Sequence, residues 1–376
     1  MPGVKIIRAA LTGILATSLL AGPAQADWTH DGGSPYANFY NPYEQPPRFT
    51  GMSLSWSVQL APDNEVCTQF GAPVVHAGRM FVRTGHSVDS YDGGTGKKLW
   101  SWRLGHWGPR AVDRERAGAM VVAGGMLLTL TTTCRKAGSS PSYLTAVNEL
   151  TGARRWRVRL PVSTFELVAD RGIALVSGWA AKQSNVTAYR ISDGTKLWRR
   201  TDGWTRSVAA LGTILVTRRD GRGAYALAMT TGRILWRTAK KWSVLAGSPS
   251  VFYARAGDRI VRVRSGTGKA YAGSGFPAGP FTISGNQLFV SRSGKVEVRE
   301  VTGQLVKVYH GLPAAAQQPV YARDQLYVGT TFVDPDTGNR RLDVPVVGRP
   351  RTHPVVTDGR IYYVEDDWVL RSYLVG

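Results

Sequence analysis

Tryptophans beside cations are the residues of this sequence best suited to hold a ligand. The segments "GHWGPR", "DGWTR" and "AKKWS" each place a Trp next to Lys or Arg, and a later segment adds two Arg and a His. Flat aromatic rings stack on sugars or bases, and nearby cations attract acidic groups. We therefore predict a rim that binds an anionic polymer such as an acidic wall glycan. The alternative is that the rings pack under neighbouring loops and the cations are merely solvated. The candidate rim comprises Trp107, Arg110, Trp204, Arg206, Lys240, Lys241, Trp242, Arg349, Arg351 and His353.

Catalytic and metal-binding patterns are absent from the sequence. Its six histidines are scattered, with no pair at metal-ligand spacing, and no G-x-S-x-G, P-loop or H-E-x-x-H motif occurs. Distant loops can still assemble an active site. We nevertheless predict no catalytic, cofactor-binding or metal-binding residues and expect no enzymatic activity.

The first 26 residues have the three parts of a secretory signal peptide. Lys5 and Arg8 precede an apolar run, and Ala24-Gln25-Ala26 provides a small-residue cleavage site. We predict cleavage after Ala26 and a secreted, extracellular or wall-associated protein. No later segment is apolar enough to span a membrane. No cysteine follows the apolar run at the cleavage site, so a lipid anchor is not expected.

Charge and cysteine content narrow the environment further. Removing residues 1–26 leaves 45 basic and 26 acidic side chains, a net charge of about +19. Such a charge indicates an anionic neighbour or serves general solubility. The only cysteines are Cys67 and Cys134. In an exported protein, one pair predicts a disulfide, with free buried thiols as the alternative.

A turn motif that repeats along the chain indicates how these residues are positioned. Thr-Gly, Asp-Gly or a similar turn recurs seven times, at intervals of about 35 to 42 residues after a first interval of 56. Apolar and polar residues alternate before each turn, as in short antiparallel strands. Four strands per repeat are typical of a β-propeller blade. The turn glycines are Gly96, Gly152, Gly194, Gly232, Gly268, Gly303 and Gly338.

We therefore predict an all-β fold, an eight-bladed β-propeller of four-stranded antiparallel blades over residues 51–376. The last repeat lacks its outer strand, and "SLSWSVQL" near the N-terminus can complete it and close the ring. Residues 27–50 are expected to be an extended lead-in along the surface. Trp side chains that start outer strands should wedge between blades. These docking residues are Trp56, Trp100, Trp156, Trp198 and Trp236.

Strand alternation assigns the loops to two faces. The blade-to-blade connections share one face with the middle hairpins, and this face should bear the candidate rim and both cysteines. The Thr-Gly turns occupy the opposite face. On the perimeter, the outer strands present a second basic zone, either for ligand binding or to prevent edge pairing with other chains. Its residues are Arg155, Arg157, Arg159, Arg199, Arg200 and Arg237.

The Asp/Asn-Thr-Gly-x-x-x-Trp repeat, with "GRMFVRT" or "GRIYYVE" upstream, resembles the pyrroloquinoline-quinone-like (PQQ-like) propeller repeat. That family includes quinone-dependent dehydrogenases and non-catalytic propellers similar to the BamB lipoprotein of outer-membrane assembly. Resemblance to the dehydrogenases implies a calcium-bound quinone in the funnel, an Asp base and a vicinal disulfide. No Cys-Cys pair occurs here, and Asp92, Asp193 and Asp336 lie in predicted turns. Resemblance to the BamB-like branch therefore fits better.

Together these features predict an exported, non-catalytic binding or scaffolding protein at the cell envelope. Its partner would be a protein or an anionic envelope polymer, and the protein would be a monomer without cofactor. Nucleic acid is not expected, because no nucleic-acid-binding module is recognised. The alternative function is a PQQ-dependent dehydrogenase.

Overall fold

Each sequence repeat folds into one antiparallel sheet, and the predicted eight-bladed propeller is confirmed. The computed structural model describes residues 27–41, 51–60, 71–84, 87–105, 115–133, 142–161, 164–180, 183–273, 275–312, 318–322, 324–346 and 348–375. The predicted signal peptide, both cysteines, Trp107 and Arg110 lie outside these residues. No helix in the described residues is long and apolar enough to span a membrane.

Two strands precede the first blade, and blades 1 to 4 then follow in chain order from inner to outer strand. The first two are β1 (Tyr40–Asn41) and β2 (Met52–Gln59). Blade 1 contains β3 (Val74–His76), β4 (Arg79–Arg83), β5 (Ser87–Asp92) and β6 (Lys98–Arg103). Blade 2 contains β7 (Glu115–Ala123), β8 (Met126–Thr133), β9 (Ser142–Asn148) and β10 (Arg154–Leu160). Blade 3 contains β11 (Glu166–Asp170), β12 (Ile173–Ala180), β13 (Gln183–Arg190) and β14 (Lys196–Arg200). Blade 4 contains β15 (Gly203–Trp204), β16 (Thr213–Arg218), β17 (Ala224–Ala228) and β18 (Ile234–Thr238).

Blades 5 to 8 complete the ring. Blade 5 contains β19 (Ser243–Ser248), β20 (Val251–Ala256), β21 (Arg259–Arg264) and a short outer strand, β22 (Phe276–Pro277). Blade 6 contains β23 (Phe281–Ser284), β24 (Gln287–Arg292), β25 (Lys295–Glu300) and β26 (Leu305–His310). Blade 7 contains β27 (Pro319–Ala322), β28 (Gln325–Val328), β29 (Thr331–Val333) and β30 (Arg340–Asp343). Blade 8 contains β31 (Val355–Thr357), β32 (Arg360–Val364) and β33 (Val369–Val375), with β2 as its outer strand.

The N-terminal strand closes the ring as the sequence predicts. β2 pairs antiparallel with β33, and Trp56 lies opposite Ser372. Blade 8 thereby gains its fourth strand, and β33 is no longer an open edge. The two ends of the propeller are held together by main-chain hydrogen bonds of one sheet.

Apolar side chains on the blade faces form the core between blades rather than within any one blade. Leu128 and Leu144 of blade 2, for example, pack with Val176 of blade 3. A single blade exposes both faces, so each depends on its neighbours for burial. The ring therefore distributes its core around the axis.

The tryptophans on the outer strands join each blade to the next. Each indole Nε1 donates a hydrogen bond to a carbonyl in the turn of the following blade, while the ring lies on that turn's glycine. A Cβ added to Gly152 would come within 2.7 Å of the Trp100 ring. These turn glycines have φ near +70°, so they need glycine for both conformation and space. The bonds join Trp56 to Gly93 at 3.0 Å, Trp100 to Glu149 at 2.9 Å, Trp156 to Ile191 at 2.8 Å, Trp198 to Met229 at 2.7 Å and Trp236 to Ser265 at 2.6 Å.

Later blades use other side chains at this junction. Tyr309 of blade 6 lies on Gly338 of blade 7 and donates a hydrogen bond to the carbonyl of Pro335. Blade 5 instead reaches blade 6 through Arg262, whose Nη1 lies 3.1 Å from the carbonyl of Val301. The loss of Trp in the weaker sequence repeats thus corresponds to a different contact at the same place.

Candidate functional site

Residues 27–41, which we call the axial segment, lie on the axis of the ring. The segment coils tightly, since Gly32, Gly33, Ala37 and Phe39 all have positive φ. Trp28 is fully buried there. We expected the lead-in to run along the surface, and its described part does not. The sequence lacks a periodic pattern here because the segment binds the blades mainly through its backbone.

The axial segment contacts the inner part of all eight blades in chain order. Trp28 exchanges two main-chain hydrogen bonds with Val75 of blade 1, both 2.8 Å. Strand β1 at its other end pairs parallel with β27 of blade 7. The remaining bonds join Thr29 O to Val122 N, His30 Nε2 to Ala169, Pro35 O to Ala209 N, Tyr36 O to Gly247 N, Asn38 O to Ile283 N, and Asn41 Nδ2 to Val356 O.

His30 anchors the segment to blade 3. Its Nε2 lies 3.0 Å from the carbonyl oxygen and 3.2 Å from the amide nitrogen of Ala169, and its Nδ1 lies 2.8 Å from Thr29 Oγ1. Burial lowers the pKa of His30 to about 4, although the bond to Ala169 acts in the opposite direction. The ring is therefore neutral near neutral pH.

The axial segment closes the channel toward the face that bears the Thr-Gly turns, the turn face. It bonds each blade close to the inner hairpin, and Asp27 Oδ1 accepts a hydrogen bond from Ala77 in the hairpin of blade 1. The opposite face, which we call the rim face, carries the blade-to-blade connections. The funnel that opens there has the axial segment as its floor.

One pocket lies on the rim-face side of this floor. It has a volume of about 370 Å³ and is bounded by the starts of the inner strands of blades 5 to 7. Its lining is largely apolar, with two long polar side chains. The lining residues are Ala37, Phe39, Leu245, Ala246, Arg255, Ala278, Gly279, Pro280, Phe281 and Gln318.

Blades 4 and 5 bring four of the predicted rim residues together. Trp204 is half-buried, with the Arg206 guanidinium 5.7 Å from its ring centroid. Lys240 and Lys241 are exposed on the next connection. The middle hairpin of blade 4 adds Arg218, Arg219 and Arg222, which the sequence prediction missed although "TRRDGR" is visibly basic. Together these residues form a strongly basic patch. Two ion pairs partly neutralise its charge, one between Arg206 and Glu166 at 3.6 Å and one between Arg218 and Asp220 at 2.6 Å.

Trp242 was expected to offer its ring to a ligand, but the structure buries it. Its side chain is only 3% exposed and packs edge-on to Trp236, with centroids 6.5 Å apart. Lys240 covers it, with Nζ 5.4 Å from the ring centroid. For Trp242, the alternative given for the rim tryptophans therefore holds, in which the ring packs under its neighbours instead of facing a ligand.

Three more predicted rim residues lie in the connection that enters blade 8, opposite blade 4 in the ring. Arg349 and Arg351 are exposed, and the Arg351 guanidinium lies 4.7 Å from the Trp368 ring centroid. His353, by contrast, is only 14% exposed and contacts Phe39 of the axial segment, edge to face, with centroids 4.9 Å apart. Burial lowers the pKa of His353, with Asp31 acting in the opposite direction. His353 therefore supports the axial segment instead of facing solvent.

Trp107 and Arg110 stay predicted rim residues, since they lie outside the described residues. The same holds for the bond between Cys67 and Cys134. Thiol titration of the native exported protein tests that bond. We expect no reactive thiol before reduction, and two reactive thiols would contradict the prediction.

The acidic side chains of the described residues are not grouped for metal binding. Calcium requires several oxygen ligands, usually with carboxylates among them. No group of three or more His, Cys, Asp or Glu that could hold a metal occurs in the described part of the chain. The turn acids are already engaged, as where Asp92 Oδ1 accepts hydrogen bonds from the amide and hydroxyl of Thr95. The chain also has no adjacent cysteines.

Comparison with protein families agrees with the repeat and the fold. The family model described as outer membrane protein assembly factor BamB matches residues 50–174 and 140–367. The chain belongs to this BamB family of PQQ-like repeat propellers. No curated protein matches the sequence significantly.

Solved structures similar to this BamB-family chain show the same propeller fold. BamB from Moraxella catarrhalis is 17% identical, with a TM-score of 0.62, over 86% of this chain and 98% of that one. Quinohemoprotein alcohol dehydrogenase from Comamonas testosteroni is 13% identical, with a TM-score of 0.67, over 95% and 82%. A europium-containing methanol dehydrogenase is 12% identical, with a TM-score of 0.65, over 91% and 88%. Identities this low show the fold alone, and they do not separate binding proteins from enzymes.

Proposed function

We propose that the protein is an exported, non-catalytic propeller that binds or scaffolds a partner at the cell envelope through its rim face. The partner is a protein or an anionic envelope polymer. The observation that most supports this proposal is the axial segment, which fills the turn-face end of the channel and leaves a rim face with a shallow funnel and a basic patch.

Electrostatics and family membership support the same proposal. The basic patch on blades 4 and 5 would attract anionic partners and speed their encounter. The family model is that of an assembly factor, whose name describes work on other proteins rather than on a small substrate. Export follows from the predicted signal peptide.

A retention experiment tests the proposal. Immobilised protein is incubated with envelope fractions and washed at increasing salt, because charge-driven binding weakens as salt screens it. We expect Trp204→Ala combined with Arg206→Gln to reduce retention of the main partner at least fivefold. The matched control, Leu211→Ala combined with Arg233→Gln, changes exposed residues of blade 4 on the turn face and should have little effect.

Activity measurements provide the contrary outcome. Dye-linked alcohol or sugar oxidation that appears only after addition of pyrroloquinoline quinone and calcium would contradict the proposal and favour a dehydrogenase. Equal retention of the rim variant and its control would contradict the assignment of the binding face.

A further inference from the structure

A second concave site lies on the perimeter, in the cleft between blades 2 and 3. The cleft has a volume of about 380 Å³. Three of its seven lining residues are cations, and none is acidic. The lining comprises Arg159, Leu160 and Pro161 of blade 2 and Thr187, Tyr189, Lys196 and Arg199 of blade 3.

Strand register groups the polar residues of blade 3 on the side that meets blade 2. Thr187 lies opposite Arg199, and Tyr189 lies opposite Lys196. Tyr189 belongs to the core shared with blade 2, whereas Trp198 turns the other way and docks on blade 4. Four side chains with hydrogen-bond donors thus line one wall of the cleft.

Within the described residues, neither Lys196 nor Arg199 on the blade 3 wall pairs with a carboxylate, and both side chains are exposed. Arg159 borders the cleft, but its side chain alternates with Trp156, which docks on blade 3, and so it faces away from that blade. Lys and Arg next to one another repel, so such a group is stabilised by a bound anion. The Arg199 charge also acts on Tyr189, where it opposes the rise in the hydroxyl's pKa that burial causes.

Blade 1 has the same Tyr–Lys pair, but with a carboxylate between the two residues. Asp89 lies opposite Ser101, and Tyr91 lies opposite Lys98. The Asp89 carboxylate accepts hydrogen bonds from Lys98 Nζ at 2.6 Å, Ser101 Oγ at 2.7 Å and the Tyr91 hydroxyl at 3.2 Å. Burial would raise the pKa of Asp89, but the bonds from Lys98 and two serines outweigh it and the pKa is lowered. An ionised carboxylate is therefore stable in this arrangement.

Blades 6 and 7 also place an acid at this level of the blade. Glu297 of blade 6 pairs with Arg299 at 2.6 Å. Asp343 of blade 7 accepts a hydrogen bond from Thr331 at 2.9 Å. At the equivalent positions, blade 3 has Thr187 in place of Asp89 and Arg199 in place of Ser101. Blade 3 therefore keeps its hydrogen-bond donors and gains a cation, but it lacks the carboxylate.

We propose that the cleft between blades 2 and 3 binds an oxyanion of an external ligand, a phosphate or carboxylate group that takes the place of the Asp89 carboxylate. An Arg guanidinium, a Lys ammonium and a Tyr hydroxyl form charge-assisted hydrogen bonds with either group. The cleft is several times larger than one such group, so it also accommodates the sugar or glycerol unit that bears the group. This site lies on the perimeter, away from the rim face, and goes beyond the proposed function.

Binding of two defined probes to the purified protein tests the proposal. Tripolyphosphate and a short oligogalacturonate, measured by calorimetry at low and at physiological salt, distinguish phosphate from carboxylate ligands. Lys196→Gln combined with Arg199→Gln should weaken binding of at least one probe tenfold or more. The matched control, Arg154→Gln combined with Arg155→Gln, removes two exposed cations from β10 and should change the affinity less than twofold.

A second variant keeps the result interpretable if the double variant is poorly folded. Thr187→Asp supplies the acid in the way that Asp89 does in blade 1, so it should abolish probe binding without lowering the melting temperature. The Lys196→Gln, Arg199→Gln variant should keep the retention on envelope fractions that the rim variant loses, which separates this site from the proposed function. Equal weakening by both double variants, or no binding of either probe, would overturn the proposal.

Discussion

Individual residues of the axial segment combine structural anchoring with sensitivity to pH. His30 and His353 both contact this segment or belong to it, and burial lowers the pKa of each. A histidine that is neutral in the folded protein takes up a proton more readily when the chain unfolds. Because both histidines hold the axial segment in place, the stability of the folded ring should decrease as the pH falls.

We expect His30 to reduce stability in acid. Its folded pKa of about 4 lies below the ordinary value of 6.5, so its contribution is complete above pH 6.5 and is lost as the pH falls toward 4. The loss should reach about 3 kcal/mol, from 1.36 kcal/mol per unit of pKa. Urea unfolding at pH 7 and pH 4 measures it.

The variant His30→Gln isolates this effect. It should be less stable than the parent at pH 7 but lose less stability on acidification. His310→Gln, which alters an exposed histidine on β26, is the control and should keep the pH dependence of the parent. An identical pH dependence in the parent and His30→Gln would contradict the assignment.

At this scale the sequence predicted one of three features of the rim and the axis. It predicted that Trp204 and Arg206 lie together, because aromatic and basic residues adjoin in the chain. Trp242 has the same local pattern but is buried, since its exposure depends on Trp236, six residues earlier on the neighbouring strand. The axial segment was missed because most of its bonds to the blades use peptide groups that every residue possesses.

At the scale of elements, the turn glycine and the tryptophan of the preceding blade form one interlocking unit. The sequence showed that both recur, and it predicted a tight turn and a wedge. Their contact with each other was not predictable, since the two residues belong to different repeats. Gly232, for instance, touches Trp198 and not the Trp236 that follows it in its own motif.

A pair of glycine variants separates the two roles of the turn residue. Gly232 and Gly257 have φ values of +65° and +68°, so Ala at either site costs about 1 to 2 kcal/mol of backbone strain. An added Cβ at Gly232 would also lie 2.7 Å from the Trp198 ring, whereas nothing lies within 4 Å at Gly257. Overpacking of this kind costs a further 1 to 3 kcal/mol, roughly.

We therefore expect Gly232→Ala to destabilise the protein by about 3 kcal/mol and Gly257→Ala by about 1 kcal/mol. Denaturant unfolding of both variants under the same conditions measures the difference. Similar losses for the two variants would show that the interlock with Trp198 contributes little.

For the whole molecule, two separate N-terminal elements hold the ring together. Strand β2 joins blade 8 at the perimeter, and the axial segment joins all eight blades at the centre. The sequence predicted the first because a strand pattern was missing at one end of the chain and present at the other. No comparable pattern in the sequence predicted that the axial segment joins the blades at the centre.

Two truncations distinguish these elements. A chain that begins at Gly51 keeps β2 and loses the axial segment, so it should fold but unfold at lower urea concentration, since burial of Trp28 alone is worth about 3 to 5 kcal/mol. A chain that begins at Gly71 also loses β2 and leaves β33 as an open edge. We expect it to aggregate, as judged by gel filtration. A soluble shorter chain with the elution volume of the longer one would contradict the role of β2.

Closure by β2 also has a consequence for the order in which the protein is made. The partner of β2 is β33, and Asn41 bonds Val356, 315 residues later. Strand β2 and Asn41 must therefore wait, without these partners, until nearly all of the polypeptide has been synthesised. Contacts so distant in sequence form slowly, because a long loop has to close first. A strand that is made early is thus among the last to be paired, and anything that shields β2 meanwhile would favour correct assembly.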